Sequence, residues 1–216
     1  MKRICRTIIT LCLPLLLCGQ LHAQHSGPYV GALLGGNALV NAKASDEQGD
    51  FILKFKPALQ GSAVIGWDFA PGNPMGEGRV ELEYTRRRNP LDQVKLVEGS
   101  IRGGGTVTAD SLLFNFFGVY HDNGRLSPYA GVGIGAARIE TSDLQLAGYP
   151  MSSDSAVVFA YQVGCGVDVA LTDYLNLDLG YRFLSSTRPT FSEVNGHKFD
   201  MDYSCHSAVL GLRLGF

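Results

Sequence analysis

Apolar residues recur at every second position along almost the whole of this chain, and a 3.6-residue period is established nowhere from Gly27 to Phe216. Strict two-residue alternation makes a strand with one greasy and one non-greasy face. Eight such runs can be counted, at approximately 28–39, 53–69, 78–88, 106–120, 126–139, 155–171, 174–187 and 201–216. Gly, Pro, Asn and Asp break the pattern between them. The chain can therefore fold only as an all-β protein.

The two faces are cleanest in the sixth run, where Val157, Phe159, Tyr161, Val163, Cys165, Val167, Val169 and Leu171 alternate with Ala156, Val158, Ala160, Gln162, Gly164, Gly166, Asp168 and Ala170. The seventh run sets Leu175, Leu177, Leu179, Tyr181 and Phe183 against Asn176, Asp178, Gly180 and Arg182. In the eighth, Ala208, Leu210, Leu212, Leu214 and Phe216 oppose Arg213, and in the third, Val80, Leu82 and Tyr84 oppose Arg79, Glu81 and Glu83. The polar faces thus carry charge.

Which face looks inward depends on the solvent. Lys2, Arg3 and Arg6 precede the apolar run Ile8 to Cys18, followed by a cleavage site after Leu21-His22-Ala23. This is the layout of a secretory signal peptide; its core falls short of the ~20 residues a membrane helix needs. The expected division is therefore residues 1–23 as signal peptide and 24–216 as one β-barrel domain. Leu17 precedes Cys18 where a lipid-attachment motif wants a small residue, so lipidation is not expected. Without residues 1–23, 15 Lys and Arg face 20 acids, a net charge of −5 that suggests no nucleic-acid partner. Cys165 and Cys205 remain, on different strands with opposite facing, and no disulfide is expected between them.

Connections between runs alternate in length. Short ones fall at Pro71-Gly72-Asn73-Pro74, Asp122-Asn123-Gly124 and Thr172-Asp173, and longer polar ones near 40–52, 89–105, 140–154 and 188–200. An even strand number, with both termini on the short-turn side, outlines an eight-stranded antiparallel up-and-down transmembrane barrel with short periplasmic turns and longer extracellular loops. A water-soluble eight-stranded barrel buries its greasy face inward. Here that choice would leave the charged faces outside, so lipid is the expected cover for the apolar ones.

An eight-stranded barrel encloses room only for its own side chains. The inward charges Arg79, Arg182 and Arg213 are expected to meet Glu81, Glu83, Asp168 and Asp178 in a packed network, helped by Asn115, Gln162 and Asn176. Gly131, Gly133 and Gly135 lie on the inner face of the fifth strand and give space to long side chains. No helical pattern follows them, so a dinucleotide fingerprint is not intended. Strand direction puts Tyr29, Trp67, Phe69, Tyr120, Tyr129, Tyr174 and Phe216 at the periplasmic ends. It puts Phe159, Tyr161, Tyr181, Phe183 and Tyr203 nearer the outer ends, giving two aromatic girdles.

On these features the mature chain resembles the eight-stranded outer-membrane barrels of the opacity-protein and outer-membrane-protein-A-like transmembrane class. The resemblance is carried most specifically by Pro128-Tyr129-Ala130-Gly131-Val132-Gly133-Ile134-Gly135 and by the ending Gly211-Leu212-Arg213-Leu214-Gly215-Phe216. It implies an integral protein of the bacterial outer membrane, reached through the signal peptide. The ending is similar to the signal that the barrel assembly machinery recognises, with Gly211, Leu214 and Phe216 as its elements; Leu210 departs from the polar residue that pattern prefers.

Fold does not fix function. The leading expectation is a non-enzymatic protein with a structural and surface-interaction role, adhesive in one version, acting through its loops on host or surface ligands. Arg86, Arg88 and Arg138 point outward at headgroup height, where guanidinium can grip lipopolysaccharide phosphates. Ser204 and His206 share the outward face of the eighth strand and raise an alternative, a lipid A-modifying hydrolase. They lie in the reverse order to the known deacylases and lack an orienting acid. A small channel is the other alternative, opposed by lumen size. His121 and His197 have no second ligand nearby in the sequence, and no metal or cofactor is expected.

Overall fold

The structure is a computed structural model that describes residues 26–46, 49–69, 77–96, 99–120, 125–194 and 196–216. The signal peptide, the turns at 71–74 and 122–124, and His121 lie outside the described residues.

The described residues form twelve strands: β1 (Gly27–Leu39), β2 (Ala42–Asp46), β3 (Gly49–Phe55), β4 (Ala58–Phe69), β5 (Gly78–Leu96), β6 (Gly99–Val119), β7 (Leu126–Leu146), β8 (Tyr149–Ala170), β9 (Leu175–Ser186), β10 (Thr190–Ser192), β11 (Lys198–Met201) and β12 (Ser204–Gly215). Eight of them form a closed antiparallel ring in the order β5-β4-β1-β12-β9-β8-β7-β6, with β6 returning to β5. The first and last strands complete the wall, Tyr29 opposite Gly215 and Leu39 opposite Cys205.

The other four strands continue this wall outward. β2 prolongs β1, β3 runs into β4, β10 prolongs β9, and β11 runs into β12. Backbone bonds carry the ladder across the breaks: Val40 N–H donates to Ser204 O (2.9 Å), Lys56 N–H to Pro90 O (2.9 Å) and Asp202 N–H to Lys43 O (2.9 Å). Beyond the breaks β3 pairs with β5, β2 with β3, and β11 with both β2 and β10. A bridge between Ser152 and Glu193 closes this outer tier onto β8. The molecule is thus one eight-staved barrel, four of whose staves are interrupted.

The long connections are strands for most of their length. β8 has 22 residues; at ~3.3 Å each and a tilt of ~40° it rises roughly 55 Å, twice the ~25 Å apolar band of such barrels. Bulges between Pro90 and Gln93, Gly104 and Thr106, and Thr141 and Leu144 shift the alternation by a residue in this region. That shift hides the period in the sequence. The β7–β8 hairpin turns on Ala147 and Gly148, both at positive φ, with Leu146 opposite Tyr149. This is the two-residue geometry that matches strand twist.

Outward positions in the lower barrel are apolar and exposed, among them Leu82, Phe114, Ile134, Val163, Leu179 and Leu212. Trp67, Tyr120, Tyr174 and Phe216 are exposed at the periplasmic edge, and Phe159, Tyr161 and Tyr181 toward the outer edge. Three aromatics assigned by height to these girdles belong elsewhere: Tyr29, Tyr129 and Tyr203 are buried in the lumen. Their place in the alternation, not their height, decides the face.

Candidate functional site: a two-layered lumen and a charged outer wall

The lumen is filled by two chemically different layers. In the periplasmic half, fully buried Arg79 is the centre: its Nε lies 2.9 Å from Glu81, Nη1 meets Asp168, and Nη2 lies 3.3 Å from Asp178. Arg213 approaches the same two aspartates, Asp168 at 2.5 Å and Asp178 at 3.9 Å, and adds Asp68 at 3.4 Å. Arg182 donates to Tyr129 Oη at 3.0 Å, and Tyr129 Oη donates to Asp178 at 2.7 Å. Glu83 accepts from Thr85 (2.7 Å), Asn115 (2.8 Å) and Gln162 (3.1 Å). Tyr29 donates to Glu81 at 2.7 Å. Glu81, Glu83, Asp168 and Asp178 therefore each serve more than one donor, which is what lets charge persist away from water.

Aromatic faces cover the guanidinium planes. The Arg79 guanidinium carbon sits 4.1 Å from the Tyr129 ring centre, that of Arg182 4.8 Å from Phe117, and that of Arg213 4.9 Å from Tyr29. A weakly hydrated cation on a ring is favourable where water is excluded. Glycines make this stacking possible. A Cβ on Gly66 would stand 2.5 Å from the Tyr29 ring, and one on Gly166 2.5 Å from Tyr129. Gly133 leaves room for Asn115, and Gly164 for Arg182.

The seven charged residues singled out in the sequence, Arg79, Glu81, Glu83, Asp168, Asp178, Arg182 and Arg213, all lie buried on inward positions. Two further members were missed. Asp68, at the end of β4, pairs with Arg213. Arg87 is fully buried and donates to Ser111 Oγ at 2.8 Å. Alternation alone distinguishes Arg87 from its outward neighbours Arg86 and Arg88. Asn176 is only half-buried near the periplasmic end.

Above Arg87 the lumen turns apolar. Leu53, Leu91, Val94, Leu113, Ile139, Leu144, Leu184, Phe191, Phe199 and Met201 form one buried cluster with Tyr203 and Cys205. Most of its members come from the outer tier and its junction with the membrane ring. The outer half of the barrel is thus packed like a soluble protein, greasy side inward, while the lower half is inverted. Cys205 faces this core and Cys165 faces outward.

On the outside, Arg86, Arg88 and Arg138 are exposed. Carboxylates are interleaved with them. Arg86, Asp110 and Arg138 occupy one cross-strand row over β5, β6 and β7, and Arg88, Thr108 and Glu140 the next. Arg86 approaches Asp110 at 3.7 Å and Arg138 approaches Glu140 at 3.8 Å. Ser204 and His206 also face outward, but with different partners. Ser204 Oγ shares a hydrogen bond with Ser185 Oγ (2.8 Å), and His206 Nδ1 with Tyr181 Oη (2.5 Å). His206 packs on Tyr181 and Phe183. Gly211 faces inward, where an added Cβ would stand 2.6 Å from Leu33, while Leu214 and Phe216 face outward.

Comparisons with known proteins agree with this architecture. Residues 8–215 match the family model described as outer membrane protein beta-barrel domain. Among solved structures, the outer membrane protein OprG from Pseudomonas aeruginosa is similar at 15% identity and TM-score 0.60, with 90% of this chain and 99% of that one covered. Neisserial surface protein A is similar at 21% identity and TM-score 0.50, with 88% and 98% covered. At such identity these likenesses bear on the fold alone. No curated protein sequence matches the chain.

Proposed function

The chain belongs to the outer-membrane β-barrel family and resides in the bacterial outer membrane, and from that premise we propose that it is a closed, non-enzymatic barrel acting through its surface. The carrying observation is the filled lumen: an ionic layer below and an apolar core above leave its inward side chains engaged with one another. The outer tier then offers tips and outward walls to host or surface ligands, adhesion being one such role. Planar-bilayer recordings are expected to show no stable conductance. A barrel with its hairpin tips deleted is expected to lose binding to cells or matrix while still shifting in heat-modifiable electrophoresis; unaltered binding would remove the surface role.

The contrary enzymatic reading, a lipid A hydrolase on Ser204 and His206, draws no support from the side-chain pairing. A serine bonded to Ser185 and an imidazole bonded to Tyr181 are not a nucleophile and its base. Mass spectrometry of lipid A from cells with and without the protein should show identical acylation.

Three finer assignments belong to this reading. Arg86, Arg88 and Arg138 contact lipopolysaccharide phosphates at the outer girdle, their reach tempered by Asp110 and Glu140. Changing all three to Gln should lower barrel stability in lipopolysaccharide-containing bilayers and not in phosphatidylglycerol. Residues 1–23 direct export. Gly211, Leu214 and Phe216 form the signal read by the barrel assembly machinery, and deleting Phe216 should reduce the amount of folded protein in the outer membrane.

A further inference from the structure

Two neighbouring rows on the outward wall of the outer tier surround an uncharged pair with cations. Lys43, Ile52 and Lys95 face one another across β2, β3 and β5. Lys54, Gln93 and Arg102 do so across β3, β5 and β6. With strands ~4.8 Å apart and same-face residues ~6.6 Å apart along a strand, the cations of a row stand ~10 Å from each other and the rows ~7 Å apart. A groove of about 480 Å³ opens beside them, lined by Lys43, Ile52 and Lys95 together with Asp50, which accepts from Ser45 Oγ, and Arg188, which pairs with Asp202 at 2.6 Å.

The wall is uneven in net charge. Lys56, Arg86 and Arg88 continue the basic surface down toward the membrane, Lys56 paired with Asp92 and Arg86 with Asp110, whereas the wall of β7, β8, β10 and β11 with its hairpin ends carries Glu140, Asp143, Asp154, Glu193 and Asp200 against Arg138 and Lys198. Among the described residues no ion pair holds Lys43, Lys54, Lys95 or Arg102. Lys95 lies nine positions along β5 from Arg86, which places the cationic frame ~20 Å further out than the girdle arginines. Lipid phosphates do not reach that height. A glycan rising from the lipid does. Phosphates suit the four cations, the C–H face of a sugar suits Ile52, and hydroxyls suit the Gln93 amide. Asp50 and Asp200 flank Ser45 in the next row out and bound the frame with negative charge on that side.

We infer that this wall holds the phosphorylated core oligosaccharide of lipopolysaccharide, as an outward continuation of the contact proposed for Arg86 and Arg88, on which it rests. Refolded protein would be placed in nanodiscs of phosphatidylglycerol alone, with lipopolysaccharide truncated to lipid A and its first acidic sugars, or with lipopolysaccharide bearing its phosphorylated core. The readout is the midpoint temperature of the heat-modifiable electrophoretic transition. The truncated form should raise the midpoint through the girdle, and the core should add several degrees more. The quadruple variant Lys43→Thr, Lys54→Thr, Lys95→Thr, Arg102→Gln should lose only that second increment. A wild-type protein without the second increment, or a variant that retains it, would overturn the core assignment and leave the girdle contact standing. Absence of the first increment would overturn the girdle contact itself. Dextran sulphate that raises the midpoint in phosphatidylglycerol as much as the full core does would identify a site for free polyanions and overturn the lipid-anchored assignment.

Discussion

Arg79 shows how one residue can organise a lumen. Its three nitrogens address Glu81, Asp168 and Asp178, and its plane lies on Tyr129. Replacing it with Met leaves those carboxylates sharing too few donors, and losing one side of a buried ion pair costs about 3–5 kcal/mol. Urea unfolding of R79M in lipid vesicles should show a loss of that order. Tyr129→Phe removes a hydrogen bond to Asp178 and an acceptor for Arg182, an effect of about 1.5–3 kcal/mol for bonds to charged groups. A smaller loss in Y129F than in R79M, by the same measurement, is the expected order. Much of this layer could be read from alternation, since Arg79, Glu81 and Glu83, or Asp178 and Arg182, share a face at two-residue spacing. Arg87 was hidden inside an Arg86-Arg87-Arg88 run that reads as a surface patch. Tyr29 and Tyr129 were hidden because height was weighed above parity; Gly31 and Gly131, two residues along on the same inner face, were the available signal.

At the scale of elements, the least secured part of the wall is β10, three residues long, which is joined to the β8 backbone only past its own end, where Glu193 bridges Ser152 and Val194 N–H donates to Met151 O at 3.0 Å. Side chains supplement it. Asp154, in the outer tier beyond the apolar band, accepts from the Ser192 amide at 2.8 Å and the Ser155 amide at 2.7 Å. Those backbone N–H groups, Ser192 first, hold its carboxyl below the ordinary aspartate range. A folded-state value below the unfolded one stabilises the closed tier at neutral pH, and that contribution disappears as pH falls through the folded value, below about 4. Hydrogen exchange should therefore find the Ser192 amide less protected in Asp154→Ala than in wild type at pH 7, with the difference vanishing in acid. A difference that persists unchanged at pH 2 would show that Asp154 acts by something other than its charge. The outer strands themselves were not legible as strands. The bulges near 90–93, 104–106 and 141–144 change the phase, and a two-residue template scores a phase change as a loop.

Considered whole, the barrel is sealed twice, by unlike means. Opening the ionic layer alone should not create a pore, because the apolar core above it is built from different residues. Removing a matched pair, Asp168→Asn with Arg213→Met, takes out one charge of each sign and is expected to leave a folded barrel that still shows no stable conductance in planar bilayers. Heat-modifiable electrophoresis verifies folding first. Steady single-channel currents from this double variant would mean that the outer core is permeable. The fold class, the eight staves of the ring and its membrane orientation follow from the chain's alternation and its turn spacing. The second core did not, since its residues are scattered over segments such as 89–105 and 188–200 whose composition is polar, and only closure of the ring brings Leu91, Phe191 and Phe199 together.

The two-residue turn at Ala147 and Gly148 crowns a hairpin whose lower part is anchored in that core through Leu144. It amounts to a mast. A peptide epitope spliced between Ala147 and Gly148 would be carried roughly 25 Å clear of the lipid headgroups on a stiff support, within reach of antibodies and enzymes on living cells. The same epitope placed at Thr172-Asp173 would be displayed to the periplasm instead. Used that way, the molecule is a display scaffold whose insertion sites are chosen by topology.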